Sequence, residues 1–124
     1  MKYIRTKDGR LFVVKNSYNF YYEGFEGEHT YFETLKGHCF VDDQVLKQAD
    51  TIKELCDEYI LKRSDESKPR VLNKDNIDYY KNFNKEGGPE HSYSIELFAA
   101  IWVRDINGNI LLKPVARLND KGEL

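Results

Sequence analysis

VLKQADTIKELCDEYIL, residues 45–61, is the stretch whose reading decides the fold. Thr51 and Glu54 form the pattern of a capping box, in which the Thr51 hydroxyl accepts from the Glu54 amide and the Glu54 carboxylate turns back to the Thr51 amide. Ile52, Leu55, Cys56, Tyr59 and Ile60 follow at i, i+3, i+4, i+7 and i+8, one apolar stripe of a 3.6-residue period. The spacing predicts a helix over 51–62, ending at Lys62 and Arg63, whose charges suit a negative C-terminal end.

Upstream of this stretch the signals are those of strands. Residues 2–15 read as a hairpin turning at Asp8-Gly9, a dipeptide suited to the positive φ of a tight turn. A second strand rich in aromatics covers 18–25, a third 30–35, and Gly37 separates it from Cys39-Phe40-Val41. Residues 45–49 suit one more short strand. Such a meander of short strands is the pattern of small barrels and curled sheets.

Downstream, 64–70 (SDESKPR) is a solvated loop, and Asp75 caps a weakly periodic second helix over 75–83 built on Ile77, Tyr80 and Phe83. Gly87-Gly88-Pro89 breaks the chain. Residues 95–103 (IELFAAIWV) are apolar at nearly every position, as a strand covered on both sides is. Asn107-Gly108 then marks a C-terminal hairpin, and Pro114 places the return strand at a sheet edge. The expected fold is a single α+β domain over 1–124. In it a bent, mainly antiparallel sheet or partial barrel of about five to seven strands packs on the 51–62 helix.

Length and composition narrow the function classes. A chain of 124 residues suits one domain with a core that needs no metal or disulfide. With 40% hydrophobic and 32% charged residues it belongs with soluble globular domains rather than disordered tails. The net charge of −2 lacks the footprint of a general phosphate-backbone binder. No apolar run approaches the ~20 residues of a membrane span, and the first residues carry no secretory pattern, so the expected compartment is a cytoplasm. Cys39 and Cys56 are expected as reduced thiols.

Catalytic patterns are weak. Cys39 follows His38, but neighbours on a strand point to opposite faces and make a poor nucleophile–base pair. His29, His38, Cys39, Asp42 and Asp43 have the atom types of metal ligands without the spacing of a structural zinc site. Glu54, Asp57 and Glu58 read as a solvated face. The expectation is a non-enzymatic protein with no cofactor and no metal.

Two surfaces draw a functional reading. The aromatic cluster Tyr18, Phe20, Tyr21, Tyr22, Phe25, Tyr31 and Phe32 should bury one alternating set, Phe20 and Tyr22, and expose another, Tyr21 with Tyr31; Tyr18, Tyr21 and Tyr31 are the candidate contact residues for a protein partner. Alternatively, Lys2, Arg5, Lys7, Arg10 and Lys15 of the first hairpin contact phosphates while aromatics stack on bases.

Three blocks carry a family resemblance: residues 3–9 (YIRTKDG), residues 47–58 (KQADTIKELCDE), and residues 100–102 with 115–124 (AIW and VARLNDKGEL). Together they resemble a set of small uncharacterised phage and prophage proteins of low-GC Gram-positive bacteria. The resemblance implies expression in a bacterial cytoplasm and carries over no functional residue. By analogy of setting alone, it suggests an accessory protein that binds a host protein, including a defence system such as a CRISPR nuclease.

Overall fold

The computed structural model describes residues 2–21, 23–24, 26–77, 94–119 and 122–124. The chain divides into two compact units, Met1–Leu55 and Cys56–Leu124. The first holds β1 (Lys2–Thr6), β2 (Leu11–Tyr21), β3 (Glu28–Thr34), β4 (Cys39–Val41) and β5 (Val45–Ala49), with 3₁₀ turns at Asp42–Gln44 and Ile52–Glu54. The second holds β6 (Glu58–Arg63), β7 (Arg70–Leu72), β8 (Ile95–Arg104) and β9 (Ile110–Leu118), with a 3₁₀ turn at Lys74–Asn76.

In the first unit the sheet runs β4-β3-β2-β1-β5, all antiparallel. Its two edge strands are consecutive in sequence and joined only by Asp42–Gln44. Flat, those edges would lie about 19 Å apart, four inter-strand spacings. The four peptide steps from Val41 to Val45 reach at most about 14 Å. The sheet must therefore curl. Ile4, Phe12, Phe32 and Phe40, one buried residue from each of β1 to β4, form the core of the curl, with Val14 and Val45 packed against them. A cleft of about 350 Å³ lined by Thr30 and Phe32 of β3, Asp42, and Val45, Leu46, Lys47 and Gln48 of β5 brings together strands that are not neighbours in the sheet.

A bulge interrupts β2. Val14 pairs with Thr34 and Asn16 with Glu33, which leaves Lys15 as the extra residue. One inserted residue reverses the alternation of everything after it. Phe12 and Val14 face the core before the bulge; beyond it Ser17 takes that side, opposite buried Phe32. Tyr18 and Phe20 pass to the other face.

The second unit is a four-stranded antiparallel sheet, β7-β6-β8-β9. Its two central strands each bury three successive residues, Tyr59, Ile60 and Leu61 on β6 and Ala99, Ala100 and Ile101 on β8. Burial at consecutive positions means cover on both faces. Outside 99–101 the apolar run of β8 is only half-buried, and Trp102 is exposed. β9, with Pro114, is an edge strand.

The 51–62 helix is not there, and the fold is mainly β rather than α+β. Its cap exists: the Glu54 amide donates to the Thr51 hydroxyl at 3.4 Å. The Glu54 carboxylate, however, accepts from that hydroxyl at 3.1 Å instead of reaching back to the Thr51 amide. One 3₁₀ turn follows, closed by Leu55 N–H on the Ile52 carbonyl at 2.9 Å, and then the chain extends into β6. An isolated helix of this length is marginal in water, so tertiary pairing decides the outcome. Here Tyr59, Ile60 and Leu61 pair with Ala99, Phe98 and Leu97 of β8 on one side, and with Leu72, Val71 and Arg70 of β7 on the other. Leu61, just outside the helical stripe, is 4% exposed because its spacing from Tyr59 is the strand's period of two. Among the described residues no helix reaches seven residues; there are three 3₁₀ turns, and Ile77 takes α-helical backbone. Most of the 75–83 helix lies outside the described residues. Just before it, the 3₁₀ turn Lys74–Asn76 is capped by Asn73, whose side chain accepts from the Asp75 amide at 2.8 Å.

Both hairpins expected at Asp-Gly and Asn-Gly form, but with a longer loop than a two-residue turn. Tight type I′ turns need positive φ at two residues, and the described non-glycine residues have none. Instead, residue i accepts from a glycine at i+3 and its amide donates to the carbonyl of i+4. Its side chain then accepts from the amide of i+4. Thr6 does this with Gly9 and Arg10, Thr34 with Gly37 and His38, Asp105 with Gly108 and Asn109, and Asn119 with Gly122 and Glu123. The pattern Thr/Asp/Asn-x-x-Gly thus recurs four times. It also gives hydrogen-bond partners to Thr6 and Thr34, which are 2% and 1% exposed.

Candidate functional site

Beyond Val14, β2 has no β1 partner, and β4 covers only Tyr31 to Glu33 of β3. The far end of β2–β3 is therefore a two-stranded ribbon pairing Asn19 with Thr30, Phe20 with His29 and Tyr21 with Glu28. Cross-strand partners share a face. Tyr18 and Tyr31 pair with ring centroids 6.4 Å apart, and Phe20 and His29 at 5.8 Å, so four rings line one side. Tyr18 is 52% exposed; Phe20, His29 and Tyr31 are half-buried. Tyr21, 78% exposed, points to the opposite side. The structure thus brings Tyr18 and Tyr31 together and leaves Tyr21 apart from them; Tyr22 and Phe25 lie outside the described residues.

Polar groups fix the rim of this face. Asp42 accepts from the Thr30 amide at 3.3 Å and meets His29 Nδ1 at 3.3 Å. Burial pushes the Asp42 carboxyl up, but the bonds from His29 and Thr30 outweigh it and hold its pKa below the ordinary value. The hydrogen bond to Cys39 raises the pKa of the Tyr31 hydroxyl above the ordinary tyrosine value. Cys39 is exposed beside Tyr31, whereas His38 stacks against Phe12 and Phe40 at 5.1 and 6.2 Å. The two neighbours part to opposite faces. Among the described residues no three or more His, Cys, Asp or Glu side chains gather as a metal site.

The five cations of the first hairpin are not gathered on one face. Arg5 donates through Nη1 to the Leu55 carbonyl at 3.0 Å. Arg10 binds Asp8 at 2.8 Å and lies over the rings of Phe12 and Phe40 at 5.3 and 5.4 Å. Lys15 is 4.0 Å from Glu33. Lys2 and Lys7 are exposed, Lys2 on β1 and Lys7 in the turn that follows it.

Two features escaped sequence reading. The cleft beside Asp42 needs the sheet's curl, and the pairing of Tyr18 with Tyr31 needs the Lys15 bulge, which nothing in the local pattern signals. No helix among the described residues is long and apolar enough to cross a membrane. No family model, curated protein or solved structure matches the chain.

Proposed function

We propose that the chain is a non-enzymatic binding module that engages a protein partner through the Tyr18–Tyr31 face of the β2–β3 ribbon. The observation that carries this reading is the arrangement of Tyr18, Phe20, His29 and Tyr31 on a ribbon beside whose tip no further strand lies among the described residues. A two-stranded ribbon is marginal by itself, and an aromatic side left open gains from being covered. Tyrosine suits such cover, because its ring buries area while its hydroxyl keeps a polar contact. Tyr21 extends the contact around the ribbon's other side.

The resemblance to phage proteins makes the proposed partner a host protein met in a bacterial cytoplasm, and inhibition of a defence system such as a CRISPR nuclease the proposed form of the activity. The nucleic-acid alternative draws less support, since Arg5, Arg10 and Lys15 already hold groups of the protein itself.

Capture from a lysate of a low-GC Gram-positive host tests the proposal. The tagged chain should retain one stoichiometric protein, and Tyr18→Ala with Tyr31→Ala should release it while leaving the unfolding midpoint within a few degrees. Retention unchanged by the double variant would refute the face.

A further inference from the structure

We infer that the surface recognised by this aromatic face is a cationic protein surface, rich in arginine or lysine. This rests on the protein-binding reading above and adds the partner's chemistry to it. From Asn16 to Glu33 the chain carries Glu23, Glu26, Glu28 and Glu33 and not one Lys or Arg. Glu33 lies on the Tyr31 face of β3, and Asp42 stands against His29 and Thr30. Glu28, paired with Tyr21, carries the charge to the ribbon's other side, and Glu23 and Glu26 lie at its tip. Two cations border the base: Lys15 sits 4.0 Å from Glu33, and Lys47, in the cleft beside Asp42, donates to the Glu54 carbonyl at 3.0 Å.

Rings and carboxylates here ask for the same thing. The face of an aromatic ring attracts a cation, and a guanidinium can stack on tyrosine while bonding a carboxylate beside it. A negative patch also speeds encounter with a positive partner and repels like charge, so phosphates and anionic lipid headgroups are disfavoured. Surfaces of this sign are what nucleic-acid-binding proteins present to phosphate backbones, which makes such a protein the natural type of partner. A second copy of this chain is the competing occupant, because Arg104, Lys113 and Arg117 lie on its β8–β9 hairpin beside exposed Trp102 and Ile110.

The test titrates the ¹⁵N-labelled full chain with a nona-arginine peptide and, separately, with deca-glutamate and single-stranded DNA. Nona-arginine at low salt should shift amides of 16–21 and 28–33, and raising salt to about 150 mM should weaken it about tenfold. Glu28→Gln with Glu33→Gln, and Tyr18→Ala alone, should each weaken it severalfold with an unchanged fold, judged by the remaining amide peaks. Shifts centred elsewhere, equal binding by these variants, or DNA or deca-glutamate binding at the same residues would overturn the inference. So would concentration-dependent self-association that Arg104→Glu abolishes, because the occupant would then be a second copy. If a host protein is captured through Tyr18 yet ignores Glu28→Gln with Glu33→Gln, the charge inference falls and the protein-binding reading stands.

Discussion

The Asp57 carboxylate accepts the backbone amide of Trp102 at 2.9 Å, while the Asp57 amide donates to the Ala100 carbonyl at 2.9 Å. A side chain thus continues the β6–β8 ladder one step past the start of β6 at Glu58. Asp57→Ala should cost about 1 kcal/mol, the net worth of such a bond, and Asp57→Asn should retain most of it through its amide oxygen. Urea unfolding of the three proteins checks this. Equal midpoints for alanine and aspartate would show the bond to contribute nothing.

Leu61 separates strand from helix by energy. It pairs with Arg70 and Leu97 and is 4% exposed. Leu61→Ala should cost about 2–5 kcal/mol, the range for emptying a buried leucine site. Were 51–62 a helix buried along 52, 55, 56, 59 and 60, the same change would fall beside the stripe and cost far less. Equilibrium denaturation decides between them.

Gly108 has φ +84° with open space where a Cβ would stand. Gly108→Ala therefore meets no clash, and its cost is the left-handed backbone alone, about 1–2 kcal/mol. Gly108→Asn should cost less, since asparagine tolerates that region. A thermal melt in which alanine equals glycine would mean that the hairpin turn has another conformation in solution.

The two thiols should react unequally. Cys39 is exposed; Cys56 is 2% exposed, and burial raises its pKa. With a thiol-specific chromogenic reagent near neutral pH, the native protein should show one fast equivalent and release the second only on unfolding. Two fast equivalents would place Cys56 within reach of solvent.

Acid should loosen the first hairpin in a defined window. Hydrogen bonds from Arg10, then Thr6, lower the pKa of Asp8 below its ordinary 3.8. A carboxyl depressed in the folded state adds stability above its unfolded pKa, and that share is lost as pH falls through the folded value. Carboxyl ¹³C titration should place Asp8 below 3.8, and Arg10→Ala should bring it back toward 3.8. An Asp8 midpoint indifferent to Arg10→Ala would rule out the pair as the cause.

Burial was more legible in the sequence than backbone shape. Ile52, Leu55, Cys56, Tyr59 and Ile60, read as one helical stripe, are all buried, from 1% to 5% exposed. A spacing of seven and eight residues satisfies a helix, yet two residues of opposite strand phase, such as Tyr59 and Ile60, are also both buried in a strand covered on two sides. What tips the balance is β8, more than thirty residues away, and no local window contains it. The hairpins were legible because their glycines act locally. For the proposed binding face, composition showed the aromatics but not their grouping. Alternation alone would put Tyr18 and Phe20 in phase with Phe12 and Val14, and only the unpaired Lys15 removes them from it.

That extra residue makes the proposed interface a matter of parity. Deleting Lys15 would remove no tyrosine, no carboxylate and no core side chain, yet every later position of β2 would exchange inside for outside. Tyr18 and Phe20 would crowd the Phe12–Phe40 core, and Ser17 and Asn19 would stand where the rings now lie. Along residues 13–17, then, the count of amino acids constrains this chain more tightly than their identity, and single-residue insertions and deletions there should be less tolerated than most substitutions.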